Sequence, residues 1–386
     1  MSDAPTILHI CPTYVDLNAE AGGVSNIVRQ LARRLGRRGG TVHVLCGTRE
    51  LWERKGTPGT YREGNVTRHV LEHGGAPWWA PFGAIRSQLA HLGEQVDVAH
   101  VHTCFSAFTD YSMGRLLDDR CPFVFTPHGK FSDQMLDRRY LMKWLWWHAW
   151  TKRHVQRADR LVLSSRNEAK NLDRLGLSSE DAIIPNGFDA DAPAYEAGLQ
   201  ADPPVEIPYV LFLGYLDPRK QPELLVRAYA RSSITETHRL VIVGPDAYDH
   251  RSVVQQAIQD EGVGGRVTLY GPAYDQEKWA LLSGATCFCL PSKGEGRPVT
   301  AAEALGTGTP VLISRQSNFP EIREHGAGIE CDAFDQNQWV EALERVCGDE
   351  EQRRDMEAAA ETLARDYTWS SVVDQWEELY FSLTYA

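Results

Sequence analysis

Short unbroken apolar blocks, each closed by a turn residue and followed by residues at helical spacing, recur along this 386-residue chain. Residues 6–14 (TILHICPTY) form the first block. Val24, Ile27, Val28, Leu31 and Leu35 then fall on one helical stripe that ends in basic residues and Gly39-Gly40. The blocks TVHVLCG (41–47), VDVAHVH (96–102), FVFTPHG (123–129) and RLVLSS (160–165) continue the series. Continuous apolar blocks suit strands buried on both faces, and their alternation with helices predicts a parallel sheet covered on both sides.

Residues 188–208 (FDADAPAYEAGLQADPPVEIP) interrupt the rhythm with Pro, Ala and acid and no apolar period, and read as a linker. Beyond them YVLFLG (209–214), a helix through 222–232, RLVIVG (239–244), RVTLYG (266–271), TCFCLP (286–291) and PVLIS (310–314) restart it. Two doubly wound α/β domains in tandem are therefore expected, 1–190 and 191–366. Ligands of such sheets sit at the carboxyl ends of the strands, and a central cleft facing both domains is the expected place. A last amphipathic helix (367–386) would carry Trp369, Val373, Trp376, Leu379 and Tyr380 on one side.

Composition narrows the class. Hydrophobic residues at 42% and charged residues at 24% are ordinary for a globular chain. The start of the sequence lacks a basic segment ahead of a long apolar one, and no run approaches the roughly 18 apolar residues of a membrane span. The eight cysteines form no C-x-x-C pair, and Cys287 and Cys289 alternate on a strand, so a reducing, cytoplasmic setting is expected. Residues 1–190 hold 24 Lys+Arg against 20 Asp+Glu, the remainder 16 against 32. This asymmetry fits an anionic partner for the first half and equally fits two unrelated surfaces.

The densest chemistry lies in residues 291–310, PSKGEGRPVTAAEALGTGTP. Pro298 suits the first helical position, which leaves Glu295 in the loop before the helix and Glu303 about one and a half turns inside it. Free N–H groups there would favour a phosphate, although acid at a helix start is also ordinary capping. Arg219-Lys220 stand in a strand-to-helix loop, where a basic pair is most often solvated. Gly22-Gly23 open a helix after the first strand and would let backbone N–H groups approach a phosphate, as a plain loop glycine pair also would. The absence of G-x-G-x-x-G there gives no support to dinucleotide binding, and no feature points to nucleic acid. Four tryptophans sit among Lys and Arg in 140–160. Leu141, Trp144, Leu145, His148 and Val155 fall near one stripe, read partly as core, with Trp146, Trp150, Arg153 and Arg157 on a neighbouring one. Indoles beside cations suit an anionic membrane boundary, and packing in the core remains an equal reading.

Glu295 and Glu303, with Ala304, Gly308, Pro310 and Val311, match E-x7-E followed by E-A-x-x-x-G-x-P-V. The chain thereby resembles the retaining, sugar-nucleotide-dependent glycosyltransferases of family four, built on the GT-B fold. Gly22-Gly23-Val24, TPHG (126–129), IPNGFD (184–189), FLGYLDPRK (212–220) and FPEI (319–322) extend the resemblance over nearly the whole chain. The resemblance implies that Glu295 contacts the donor sugar and Glu303 the ribose. His128, rather than His100 or His102, would lie beside that sugar. Lys220 and Arg219, with backbone donors around Gly22, Gly23, Gly296, Arg297, Pro298 and Val299, would hold the diphosphate. One departure stands out: Tyr215 occupies the place where the family has an arginine.

The implied activity is transfer of a hexose-like sugar from a nucleoside diphosphate to a hydroxyl acceptor, a glycan or a lipid-linked one. Polysaccharide or glycolipid assembly, including lipopolysaccharide, is the implied setting, at the cytoplasmic face of a membrane touched through Trp146, Trp150, Arg153 and Arg157. The nucleotide sugar is a co-substrate, no further cofactor is expected, and no Asp-x-Asp near the site suggests a metal. The resemblance also implies that the last helix packs on the first domain. A sugar-nucleotide epimerase of the same architecture, or an inactive partner subunit, are the alternatives, and Tyr215 keeps the second open.

Overall fold

A computed structural model describes residues 4–17, 23–50, 53–73, 79–131, 136, 140–177, 182–205, 208–247 and 249–384. The chain divides into two units, Met1–Pro185 with Val372–Ala386, and Asn186–Ser371. Each has its own sheet and its own core.

The sheet of unit 1 comprises β1 (Ile7–Cys11), β2 (Val42–Gly47), β3 (Gly59–Glu63), β4 (Val66–Leu71), β5 (Val98–His102), β6 (Phe123–Thr126), β7 (Arg160–Leu163) and β8 (Ala182–Ile183). Their spatial order is β8-β7-β6-β5-β1-β2-β4-β3, parallel except for β3 against β4. The central strands β1 and β5 are buried at every position, their apolar residues and the histidines His9, His100 and His102 alike. Helix α1 (Gly23–Arg37) buries Val28, Leu31, Ala32 and Leu35 from the predicted stripe and its flank. Helices α2 (Phe82–Leu92) and α3 (Ala107–Asp118) follow, and α3 is capped by Ser106, whose Oγ accepts the Phe108 N–H at 3.3 Å.

The tryptophan-rich segment corrects the expected stripe. It forms α4, made of Tyr140–Trp146, a π turn over Trp147–Thr151, and Lys152–Val155. Leu141, Trp144 and Leu145, read partly as core, are exposed, and Trp147 is buried instead. The extra residue of the π turn rotates the helix, so that Trp147, Thr151 and Val155 share the inner face. Trp147 packs edge-on against Phe131 and donates its indole N–H to the Leu175 carbonyl at 2.9 Å.

Unit 2 holds β9 (Tyr209–Leu213), β10 (Arg239–Val243), β11 (Val267–Gly271), β12 (Cys287–Leu290), β13 (Val311–Ser314) and β14 (Gly328–Cys331). They run parallel in the order β11-β10-β9-β12-β13-β14. Helix α5 (Pro222–Arg231) has proline at its first position, and α6 (Val299–Gly306) begins one residue after Pro298, which serves as its cap. The strand order reverses beside β9 and β12, the switch point where sheets of this kind bind ligands.

The segment 188–208 is not a free linker. Phe188 lies in the core of unit 2, and a short helix, Pro193–Leu199, docks there through Tyr195. That ring meets Trp279 edge-on with centroids 4.9 Å apart, and its hydroxyl donates to the Gly306 carbonyl. Two buried aromatics at wide spacing, not a helical period, anchor the stretch. The last helix, α7 (Trp369–Thr384), starts in unit 2, and from Val372 onward it belongs to unit 1. There Val372, Val373, Trp376 and Tyr380 are buried, and the Tyr380 hydroxyl lies 2.7 Å from His100 Nδ1.

Candidate functional site

Three strand-end loops of unit 2 bring the expected donor residues together. After β9 the chain turns through Asp217, whose Oδ1 accepts the backbone N–H groups of Arg219 at 2.7 Å and Lys220 at 3.0 Å. After β12 comes the loop with Glu295. The Arg219 carbonyl ties the two by accepting from the Lys293 N–H at 2.7 Å and the Ser292 hydroxyl at 3.2 Å. After β13, Asn318 donates its side-chain amide to the Glu295 carbonyl. Asn318 and Gln221, at φ 57° and 51°, hold left-handed conformations that such residues rarely adopt, as chains often do at functional sites. Gln221 is anchored by donating to the Pro291 and Ala333 carbonyls, each at 2.9 Å.

The outcome is an ion pair. Lys220 Nζ lies 2.8 Å from Glu295 Oε1, with the two side chains only 10% and 11% exposed, and Ser292 Oγ donates to the same oxygen at 3.0 Å. Lys220 reaches it by running past Gly214, where an added Cβ would stand 3.2 Å from Lys220 Cδ. A side chain at 214 would crowd the cation's path. Arg219 keeps its side chain half-exposed, 3.7 Å from Asp217. Tyr215, the departure from the family pattern, is 57% exposed. Glu303, on α6, pairs with Lys278 at 2.9 Å, and Lys278 in turn sits over the Trp279 ring.

Arg297, expected to serve through its backbone, turns its guanidinium inward. That group is buried, 2.8 Å from Glu321, and flanked by the Phe319 and Tyr367 rings at 4.7 and 5.1 Å. Arg297 therefore braces the loop from inside, and only its backbone remains for a ligand. Gly296 is half-buried and Val299 is exposed at the helix start, beside buried Pro298. In unit 1 Gly23 begins α1 at φ 60° with open space where a Cβ would be, while Gly22 lies outside the described residues.

His128, in unit 1, follows β6 at φ 52°, strained backbone for a residue with a side chain. It is held on both sides. Glu168, fully buried, accepts N–H groups from Phe131 and from Ser164, so the loop after His128 is clamped. The ring itself meets His102, with His102 Nδ1 and His128 Nε2 at 2.8 Å, and His102 Nε2 meets His9 Nδ1 at 2.9 Å. Burial drives the pKa of His9 and of His128 down to about 3, so both are neutral at ordinary pH. The nitrogens of His9, His100 and His102 lie within 4.8 Å of one another, a spacing that would admit a metal ion. Both ring nitrogens of His100 and of His102 are already engaged, His100 with Tyr380 and with Thr126 at 2.9 Å. Sequence reading passed over His9 and Glu168, and named Tyr380 only for the apolar side of the last helix. The register of β1 against β5, which sets His9 beside His100, is the signal that places His9.

Trp146, Trp150, Arg153 and Arg157 do converge. With Phe82 and Tyr111 they line a cavity of about 760 Å³ between α3 and α4. The indole N–H of Trp146 donates to Asp110 Oδ2 at 2.6 Å. Burial raises the Asp110 carboxyl to about 6, against the opposing pull of the Trp146 and Thr151 side chains. A carboxyl that is part-neutral at neutral pH, two indoles and arginines form a set able to hold a polar group beside an apolar one. Among the described residues no helix is long and apolar enough to cross a membrane.

Comparison with known proteins gives these features a family. The model for Glycosyltransferase Family 4 matches residues 21–192, and that for Glycosyl transferases group 1 matches residues 200–363. A D-inositol 3-phosphate glycosyltransferase of Corynebacterium diphtheriae is 24% identical, with 97% of this chain and 92% of that protein covered. One from Mycobacteroides abscessus is 25% identical over 95% of this chain and 86% of its own. Among solved structures, sucrose-phosphate synthase from Thermosynechococcus elongatus superposes with a TM-score of 0.75 at 22% identity, covering 98% of this chain and 99% of that one. An Anabaena protein solved with UDP and glucose gives 0.70 at 16% identity, covering 98% and 100%. With both halves matched and the two parallel sheets in place, the chain belongs to the group 1 glycosyltransferases of the GT-B fold.

Proposed function

We propose that this glycosyltransferase takes a hexose-like sugar from a nucleoside diphosphate and transfers it, with retention of configuration, to a hydroxyl acceptor. The observation that carries the reading is the Lys220–Glu295 pair at the strand-end loops of unit 2, with Arg219 beside it. Lys220 and Arg219 are the cations that these loops offer to an anion, and the Anabaena neighbour solved with UDP and glucose supports a nucleotide sugar. In this reading Lys220 and Arg219 take up the charge that develops on the leaving diphosphate, a fixed electrostatic contribution. Glu295 binds the sugar and Glu303 the ribose. His128 keeps the role that the family resemblance implies for it, and unit 1 supplies the acceptor pocket. No carboxylate is assigned as a covalent nucleophile. Departure and attack share one face of the sugar, and the diphosphate accepts the acceptor's proton.

The acceptor enters at the cavity between α3 and α4, where Asp110 receives a hydroxyl and the indoles an apolar portion. Exposed Leu141, Met142, Leu145 and Trp150 lie on the same helix as Arg153, and Arg157 follows two residues past its end. They favour a peripheral contact with anionic lipid and an acceptor drawn from polysaccharide or glycolipid assembly.

The test is thermal stabilisation by a panel of nucleoside diphosphates and their sugars, followed by the anomeric configuration of the product. Stabilisation by one base, lost in Lys220→Ala, is expected, since a ligand binding only the folded state raises Tm. No stabilisation by any of them overturns the reading. Flotation with anionic vesicles tests the lipid contact separately.

A further inference from the structure

The cavity between α3 and α4 is built for more than a hydroxyl and an apolar surface. Every residue that lines it belongs to unit 1, and about 760 Å³ lies within the range of small-molecule sites. Asp110 marks one end. It is 4% exposed; its Oδ2 accepts the Trp146 indole N–H at 2.6 Å, and its Oδ1 has no hydrogen-bond partner among the described residues. A buried oxygen left without a donor is rare in folded proteins and calls for one from outside. The Trp146 and Trp150 rings, with centroids 5.4 Å apart, and the Phe82 and Tyr111 rings, 5.0 Å apart, make the lining aromatic.

Arg153, His154 and Arg157 mark the other end, which begins about 10 Å along the axis of α4 from Trp146. Arg153 and Arg157 are four residues apart, and neither guanidinium has an ion pair or a hydrogen bond to another described side chain. Arg115, the third arginine of the lining, is instead satisfied by Asp118 at 3.0 Å and Asp119 at 2.9 Å. Like charges one turn apart repel, and an anion between them removes that cost. His154 has its Nδ1 buried and unpartnered; burial, with the charges of Arg153 and Arg157 and against that of Asp118, holds its pKa down to about 4. Gly114 keeps the floor open. It lies inside α3, where glycine is less stable than alanine, yet an added Cβ would meet only the His154 ring, at 3.5 Å, an ordinary contact. Packing in the free chain therefore does not demand a glycine there.

We propose that this cavity binds the phosphate ester of a hydroxyl-bearing ring: Arg153 and Arg157 hold the phosphate, Trp146 and Trp150 carry the ring, and Asp110 pairs with one of its hydroxyls. Each guanidinium offers a fork of parallel N–H donors. One fork satisfies a carboxylate, whereas the three free oxygens of a phosphate serve two forks, so the unpaired arginines select phosphate. The ring turns its C–H face to the indoles and its hydroxyl to the oxygen that lacks a donor. The inference rests on the proposed function only in calling this ligand the acceptor; the binding itself is a property of unit 1.

The test is calorimetric titration of the full chain, without nucleotide, by a panel of hexose phosphates, with the same hexoses and inorganic phosphate as controls. At least one hexose phosphate is expected to bind roughly tenfold or more tightly than either control, because only it reaches both ends. Arg153→Gln/Arg157→Gln alters two exposed side chains, which spares the fold, and should weaken that binding about tenfold to a hundredfold. Gly114→Leu fills the floor, leaves both arginines in place and should weaken it comparably. In 15N-histidine spectra His154 should titrate higher with the ligand bound, since an anion favours the charged ring. A second arm distinguishes the source of the phosphate, by flotation with phosphatidylinositol or phosphatidylserine vesicles. Binding confined to phosphatidylinositol, and lost in both variants, assigns the same chemistry to a lipid headgroup. The proposal is overturned if hexose phosphates bind no better than the controls and the two lipids float the protein equally. It is also overturned if binding survives Arg153→Gln/Arg157→Gln or leaves His154 unmoved. Loss of this site with nucleotide binding intact leaves the donor chemistry standing. A filled site in a chain that no nucleoside diphosphate stabilises refutes the proposed function instead.

Discussion

Removal of one member of the Lys220–Glu295 pair should be far more costly than removal of both. The two side chains are about 90% withdrawn from water and 2.8 Å apart, and the only other described partner of the carboxylate is the Ser292 hydroxyl. Lys220→Met leaves Glu295 charged and nearly buried. A buried charge stripped of its partner costs about 3–5 kcal/mol, and the residual exposure here brings that to about 3 kcal/mol. For a unit of this size that lowers Tm by about 6–12 °C. In Lys220→Met/Glu295→Gln no charge remains, the amide can still accept from Ser292, and most of the loss should return. Ligand affinity should behave in the opposite way. Both variants lack the cation, so both lose a charge-assisted hydrogen bond of about 1.5–3 kcal/mol, or roughly 10- to 150-fold in Kd for the nucleoside diphosphate. Urea unfolding of the four proteins of the cycle, with titration calorimetry of the same set, reads both quantities. The reasoning fails if Lys220→Met costs less than about 0.5 kcal/mol, the level of a surface pair. It also fails if the double variant regains affinity.

Gly244 stands at φ 148°, and an added Cβ would lie 1.9 Å from the Gly214 carbonyl oxygen, so Gly244→Ala should cost about 3 kcal/mol or more and lower the soluble yield. Asp110 has its carboxyl raised to about 6 from 3.8, so the folded state holds the proton more tightly than the unfolded one. Its burial therefore costs nothing below about pH 4, and the cost grows through pH 6 to about 3 kcal/mol; Asp110→Asn should stabilise by that amount at pH 7.5 and by little at pH 4, read as urea midpoints. The depressed histidines have the reverse sign. His9 and His128 at about 3 and His69 and His154 at about 4 all belong to unit 1, which should lose stability as pH falls from 6.5 toward 4. Hydrogen exchange should then show β1 and β5 opening before β9 and β10.

The strands of both sheets were legible because a strand buried on two faces is apolar nearly throughout: VLFL and LVIV are wholly so, and TILHIC departs only at Thr6 and His9. Strands at the margins were not: Gly59–Glu63 is exposed almost throughout, and Ala182–Ile183 is two residues long. Glu295, Lys220 and Glu303 were found because their spacing lies within short motifs. What holds them was not, since the side chains of Asn318, Gln221 and Asp217 bond to backbone groups, which every residue possesses and no motif marks. The misread stripe of α4 shows a different limit. A period of 3.6 residues was applied across 140–155, and one π turn moved the buried position to Trp147.

The site residues outside the motifs share a physical reason for being hidden. Each is a buried polar group: His9 inside β1, His102 at the end of β5, and Glu168 on a short helix under the loop of His128. A buried polar group is tolerated only where its partners are fixed, and in a parallel sheet those partners come from neighbouring strands tens of residues away. His9 and His102 are 93 positions apart, and Lys220 and Glu295 are 75. Strained backbone at His128, Gln221 and Asn318 persists for the same cause, because bonds from other strands over-determine it. Loop chemistry in this chain is thus fixed from the sheet upward.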